Sequence, residues 1–398
     1  MQPPDWPALA RDLARHFAER APEHDREGSF PFENFADLRE AGFIALTVPH
    51  RHGGHEVSLS TFLRVQEELA AGDGSTALAL NMHLVRFGGE RESPTYPARW
   101  FEEMCRGAVE EGLLANTAAT EEGLGSPAGG GIPETVARLT GDGWVVRGRK
   151  TFTTMAPLLN YFIVMAALED GEGSRPPSVG NFMILRTDGG LRIDETWDSM
   201  GMRSTGSHDL VLDDVALPAD RLLNQRPLGS PDARGSSGAV WFSLGVSATT
   251  LGIARAARDY AVAFARERTP TTGRTIKEFP GVRTRIARID LLLHRSRTLV
   301  HDAARAWESR DTEAPPDGIK PFDRTMMAKI DTLNNCIEAV DLAMRVVGGV
   351  SLLKSRPMER YYRDVRAALH NPPLEDRALE QIARAALDEP VEPPKALE

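Results

Sequence analysis

The spacing of apolar residues changes twice along this chain, and that limits the folds open to it more than any other feature. Residues 5–113 read as helices. Phe35, Leu38 and Phe43 flank a helix that stops at Gly42, and SLSTFLRVQEELAA at 58–71 places Leu59, Phe62, Leu63, Leu69 and Ala70 on one side, behind a Ser suited to cap it. Between them, Gly53–Gly54 in VPHRHGGH marks a turn. From about 114 to 225 the pattern becomes that of strands: GWVVRGRKTFTT, NYFIVMAAL and NFMILRTD are β-branched or aromatic runs bounded by Gly, Asp and Pro. From about 236 helical spacing returns, with Ile253, Ala257, Tyr260 and Phe264 on one face. Val282, Ile286, Ile289 and Leu293 form a second such face, and Ile330, Leu333, Ile337, Val340, Met344 and Val347 a third. Residues 309–320 read as a loop, and the tail DEPVEPPKALE as frayed. The expectation is an α+β protein with an N-terminal helical domain (1–113), a central β-barrel-like domain (114–225) and a C-terminal helical bundle (226–398).

Charge and cysteine content exclude some classes. A net charge of −10 argues against nucleic acid as a partner, because phosphate contacts need clustered Lys and Arg. The two cysteines, Cys105 and Cys336, fit neither a disulfide framework nor a metal site, so no metal is expected. The first twenty residues lack an apolar signal core, and no run of about 18 apolar residues occurs. These features predict a soluble cytoplasmic protein with no membrane partner.

Residues 117–126, TAATEEGLGS, form a Gly-rich bend that can turn N–H groups and hydroxyls toward an anion or a polar ring; an ordinary loop reads the same way. The Gly-x-Gly-x-x-Gly dinucleotide fingerprint is missing. GWVVRGRKTFTTMA follows, then WDSMGMRSTGSHDLVLDDVALP, and near the C-terminus RVVGGVSLLKSRPMERYYRDVRAAL. In this order and spacing, across about residues 30–370, the set resembles the acyl-CoA dehydrogenase superfamily. The resemblance implies a C-terminal four-helix bundle and an FAD held in a crevice between strands and bundle. Carried over by position, Ala119 and Thr120 would meet the pyrimidine edge of the flavin, and Gly125 and Ser126 would lie near its pyrophosphate. Phe152, Thr153 and Thr154 would line the ring, with Thr154 at flavin N5; a plain alternating strand is the alternative. Arg268 would reach a neighbouring subunit's pyrophosphate, although the Phe-Gly that follows in the family is absent here. An Arg at that place also reads as a helix-end charge facing water. Gly348 and Gly349 would let backbone approach the adenosine, and they also read as a helix C-cap.

The activity implied is oxidation of an acyl thioester at its α,β-carbons, with hydride transfer to flavin N5. The family's base, a Glu, falls on Pro372 or, in its second position, on Phe242, and its substrate-holding Arg falls on Ser243. The usual carboxylate is therefore missing. His370 is the nearest titratable replacement, and His83 the second candidate catalytic histidine; both also read as structural, the first as a helix-end cap and the second as a core histidine. LHNP at 369–372 is also similar to a branch of two-component flavin monooxygenases, which use reduced flavin and O2. That chemistry is the alternative function, beside a flavin-binding protein without turnover. The bulky Trp241, Phe242 and Leu244 predict a short or flat substrate. The expected partners are a small molecule, in first place an acyl thioester, an electron-transfer protein or flavin reductase, and further copies of the chain in a homotetramer or homodimer.

Overall fold

The computed structural model describes residues 4–123, 131–141, 143–169, 178–227, 237–271, 273–310 and 317–388. Five helices come first. α1 (Trp6–Glu27) begins at Asp5, whose carboxylate accepts from Ala8 N, and ends at Gly28 with φ 69°, the left-handed conformation that stops helices at glycine. α2 (Phe32–Glu40) leads to Gly42, also left-handed at φ 81°. α3 (Leu59–Gly72) is capped by Ser58, and α4 (Gly74–Glu92) by Asp73, whose carboxylate accepts from Ser75 N and Thr76 N. α5 (Ala98–Arg106) completes the set. Leu59, Phe62, Leu63, Leu69 and Ala70 are all buried, as their spacing requires.

Among the described residues eight strands follow: β1 (Ala115–Ala118), β2 (Val136–Thr140), β3 (Gly143–Thr153), β4 (Tyr161–Glu169), β5 (Ser178–Leu185), β6 (Leu191–Asp194), β7 (His208–Pro218) and β8 (Leu222–Pro227). They form one mixed sheet in the order β6-β7-β3-β2-β4-β5-β8, with β1 beside β4. β1 and β2 both run parallel to β4, one after the other along the same edge: residues 115–118 pair with 161–164, and 136–138 with 167–169. The chain leaves the sheet after Ala118, and Ala119–Gly123 are the described start of this connection. Backbone groups at such a break have no ladder partner and are available to something else.

The last part is helical. α6 (Ser237–Glu267), α7 (Pro280–Glu308) and α8 (Pro321–Val347) pack on one another, while α9 (Met358–Ala367) lies against α6 and α8, and α10 (Glu375–Leu387) against α8. Among the described residues α6 alone is long and apolar enough to cross a membrane; 83% of its apolar window is buried inside the protein. It contacts α3 and α4 as well as α7 and α8, in keeping with a first half, 237–254, that carries no charged residue.

The bulky residues from which a short or flat substrate is expected sit within this packing. Trp241 and Leu244 are fully buried, and only Phe242 keeps open surface. The Trp241 ring lies over Gly88, where an added Cβ would come within 2.4 Å of it. Its Nε1 donates to Glu92 Oε1 at 3.0 Å, and Trp307 Nε1 donates to Glu92 Oε2 at 2.8 Å. One carboxylate at the end of α4 thus ties both indoles of the bundle to the N-terminal helices. The two cysteines are buried and free, and no His, Cys, Asp and Glu cluster among the described residues has the form of a metal site.

Candidate functional site

The Gly-rich bend and the end of β3 come together through one buried ion pair. Lys150 Nζ donates to Glu121, and both side chains are shut off from solvent. Glu121 also accepts from Thr135 N at 2.9 Å and from Glu134 N, so it gathers both ends of the excursion between β1 and β2. Burial by itself would push the Glu121 carboxyl up, but Lys150 and the amides hold it below the ordinary value. Thr151 N donates to Thr120 O at 2.9 Å, which joins the two motif segments directly. Both charged residues lie inside the quoted motifs, yet only the fold shows that they meet.

Alternation along β3 would bury residue 152 after Lys150. The β3–β7 register shifts between Lys150 and Thr153, and Phe152 takes φ +55°. A left-handed aromatic residue at a bulge is strained, a conformation that recurs at functional sites. The bulge leaves Phe152 60% exposed and Thr153 buried. The Phe152 ring meets Trp197 edge-on, with centroids 5.4 Å apart, and Trp197 is held by its Nε1 donating to Met202 O at 3.0 Å. Sequence reasoning missed Trp197; a tryptophan just ahead of SMGMRSTGS was the available signal.

Beside this wall stands a row of hydroxyls. Thr154 Oγ1 lies 2.9 Å from Ser207 Oγ, Ser207 Oγ lies 2.7 Å from Thr205 Oγ1, and Thr205 Oγ1 donates to Met202 O at 3.0 Å. The Thr154 backbone is fixed as well: its N donates to Phe152 O, and its carbonyl accepts from Asn116 Nδ2 at 3.1 Å. Met202 N donates to the buried carboxyl of Asp364 on α9 at 2.7 Å. Gly201 backs against α9 so closely that a Cβ would lie 2.6 Å from Arg363 O. The hydroxyl row is thereby seated on the C-terminal helices.

The other expected site residues are placed as follows. Gly125 and Ser126 lie outside the described residues. Arg268 is exposed just past the end of α6. Gly348 ends α8 with φ +75°, and among the described residues nothing beyond the chain neighbours lies within 4 Å of a Cβ added there or at Gly349. His83 is fully buried, Nε2 against Ile44 O at 2.9 Å and Nδ1 accepting from Ala115 N at 3.0 Å. Burial pushes its pKa down to about 4 against the pull of those two bonds, so it is a neutral core imidazole with both nitrogens engaged. His370 is exposed at the end of the turn after α9. Just past it, Lys329 Nζ on α8 donates to Asn371 O and Pro373 O, each at 2.6 Å, and so pins the segment that follows His370. Among the described residues, neither histidine shares a hydrogen bond with the Phe152–Thr154 cluster.

An aromatic wall, a hydroxyl beside it and the backbone at Ala119–Thr120, which lies outside the strand β1, fit a flat ring system with hydrogen-bonding edges, and an isoalloxazine has that character. The arrangement offers an exposed aromatic face and directional hydrogen bonds, and no metal ligand cluster stands among the described residues.

Comparison with known proteins bears on the same regions. Family models described as acyl-CoA dehydrogenase N-terminal, middle and C-terminal domains match residues 8–108, 116–215 and 244–371. The chain is 40% identical to "Putative acyl-CoA dehydrogenase YdbM" of Bacillus subtilis (strain 168), covering 96% of this chain and 97% of that one. It is 33% identical to L-evernosamine nitrososynthase of Micromonospora sp. (strain ATCC 39149 / NRRL 15099 / SCC 1413), over 90% of this chain and 84% of that one. Among solved structures, KijD3 in complex with FMN and dTDP-3-amino-2,3,6-trideoxy-4-keto-3-methyl-D-glucose superposes with a TM-score of 0.85 at 28% identity, covering 98% and 95% of the two chains.

Proposed function

We propose that this chain, which belongs to the acyl-CoA dehydrogenase family, is a flavin-dependent monooxygenase that uses reduced flavin and O2 on a small polar organic substrate. The observation that carries this reading is what stands where the family's base would be. Position 242 is a half-buried Phe packed against the core, and position 372 is a Pro followed by another Pro. Removing the α-proton of an acyl thioester needs a positioned base, and neither side chain can accept a proton. Ser243, in the place of the substrate-holding Arg, is fully buried and its Oγ has no partner.

Bound flavin supplies the two-electron redox chemistry. The chain's own residues would hold and orient it: Phe152 and Trp197 would form the wall, the backbone at Ala119–Thr120 would face the polar edge, and Thr154 would stand at N5. FAD is our preferred occupant, because open glycines at 348–349 and an exposed Arg268 leave room for an adenosine and a charge for its pyrophosphate. FMN, which the KijD3 structure contains, is the rival. A flavin reductase then follows as a partner.

A second reading, dehydrogenation of an acyl thioester with His370 as base, is favoured by the 40% identity to a relative named for that activity. Oxygen separates the two. The protein loaded with reduced flavin is mixed with O2, with and without candidate amines and aromatics, and O2 uptake and oxygenated product are followed. Rapid reoxidation with product formation supports the monooxygenase. A reduced flavin stable in air, together with acyl-CoA bleaching the oxidised flavin, supports the dehydrogenase instead. In either assay His370→Ala should lose turnover while keeping flavin; full turnover would remove His370 from the mechanism.

A further inference from the structure

The row of hydroxyls at the crevice has a direction. A carbonyl carries no hydrogen, so the proton between Thr205 Oγ1 and Met202 O, 3.0 Å apart, must belong to Thr205. Thr205 then has no hydrogen left for Ser207, so the proton in the 2.7 Å contact between them is that of Ser207. By the same step the proton between Thr154 Oγ1 and Ser207 Oγ, 2.9 Å apart, is that of Thr154. The hydroxyl of Thr154 has spent its hydrogen inward and presents only lone pairs elsewhere.

The carbonyl that sets this direction is held in place. Met202 O also accepts from Trp197 Nε1 at 3.0 Å and from Thr205 N at 3.2 Å. Met202 itself, at φ +53°, is tied to Asp364 through its N–H. Thr205 and Ser207 are buried, at 1% and 4% exposure, so water has little access with which to reverse the row. Thr154 keeps 9% of its surface open.

We propose that Thr205 and Ser207 make Thr154 Oγ1 a one-way acceptor, so that the site selects an N–H donor there and binds two-electron-reduced flavin more tightly than oxidised flavin. The inference rests on the reading of this crevice as a flavin site with N5 at Thr154. Oxidised flavin presents a bare N5, an acceptor, and two acceptors at hydrogen-bond distance leave both unsatisfied. Reduced flavin carries a hydrogen on N5 and satisfies Thr154. Ser207 and Thr205 are therefore positioning residues that choose between redox states without touching the flavin.

The test is binding, not turnover. Affinity for oxidised flavin is measured by fluorescence quenching, affinity for reduced flavin anaerobically, and the midpoint potential of the bound flavin is compared with that of free flavin. The expectation is at least a tenfold preference for the reduced form, which for a two-electron couple raises the potential by about 30 mV. Ser207→Ala frees the Thr154 hydrogen to turn outward, so the preference should vanish or reverse. Ser207→Thr retains the hydroxyl and should retain the preference, and its melting temperature controls for folding. Equal affinities in the wild type, or a ratio that Ser207→Ala leaves unchanged, would overturn the proposal while leaving flavin binding intact. Failure to bind either form would overturn the flavin reading itself, and the proposal with it.

Discussion

Asp364 is buried in the seam between α9 and the loop ahead of the hydroxyl row, and burial pushes its pKa from 3.8 up to about 7. The Met202 N–H and Arg360 oppose that shift, while Asp25 and Asp73 add to it. The folded protein thus holds a proton that the unfolded chain releases between those two values. Stability falls as pH rises through that window and stays lower above it. Asp364→Asn, which keeps an oxygen for Met202 N, should flatten the fall, by up to about 4 kcal/mol at 1.36 per unit. Denaturant melts of both proteins at about pH 4 and about pH 8 test this; the same change with pH in both would show that Asp364 is ionised throughout. The buried pair of Glu121 and Lys150 makes a different prediction. Lys150→Met leaves Glu121 buried without its cation and should cost about 3–5 kcal/mol, whereas Lys150→Met with Glu121→Gln should recover much of it. A double variant no more stable than the single would argue against coupling. At this scale the sequence was only partly legible. Thr154 and Phe152 could be singled out from motifs. Whether His83 was core or catalytic could not be decided, because that depended on Ile44 O and Ala115 N arriving from distant segments.

Among the elements, the helix–strand–helix order was readable because periodicity records which face of a segment is buried. The bounds expected for the connection at 309–320 agree with α7 ending at Glu308 and α8 beginning at Pro321, and its residues 311–316 lie outside the described residues. The bulge in β3 was not readable, since the apolar spacing there is that of a regular strand and the register shift is set by pairing with β7. Its consequence is testable. Phe152 is 60% exposed and contributes little to the core, so Phe152→Ala should leave the melting temperature nearly unchanged while weakening flavin binding about tenfold or more, the order of a lost aromatic contact. A large drop in melting temperature without loss of binding would make Phe152 a structural residue.

At the scale of the whole molecule, α7 leaves Leu291 57% exposed, and α10 leaves Leu379 and Leu387 at 49% and 80%. Together with Leu352 and Leu353 beside the open Gly348–Gly349 turn, these are apolar surfaces that a further copy of the chain can cover. We expect a dimer or tetramer, and light scattering should give a multiple of the 43.6 kDa chain mass. A stable monomer at micromolar concentration would contradict this. The exposed Arg268 then has a neighbouring site to reach, and Arg268→Ala should weaken FAD binding more than FMN binding if it meets the part of the cofactor that FMN lacks.

The sequence by itself determined the three-part α+β order and the absence of a carboxylate at positions 242 and 372. Those are local properties, written in periodicity and in residue type. Only the tertiary structure decided that Trp241 is a wedge between α4 and α6, that Glu121 and Lys150 join, and that Phe152 turns outward. It alone placed Thr154, Ser207 and Thr205 in one row that ends on Met202 O. A hydrogen bond's direction depends on which group ends the row, and here that group is a backbone carbonyl whose orientation is held by a tryptophan, a glycine-backed turn and a carboxyl on α9.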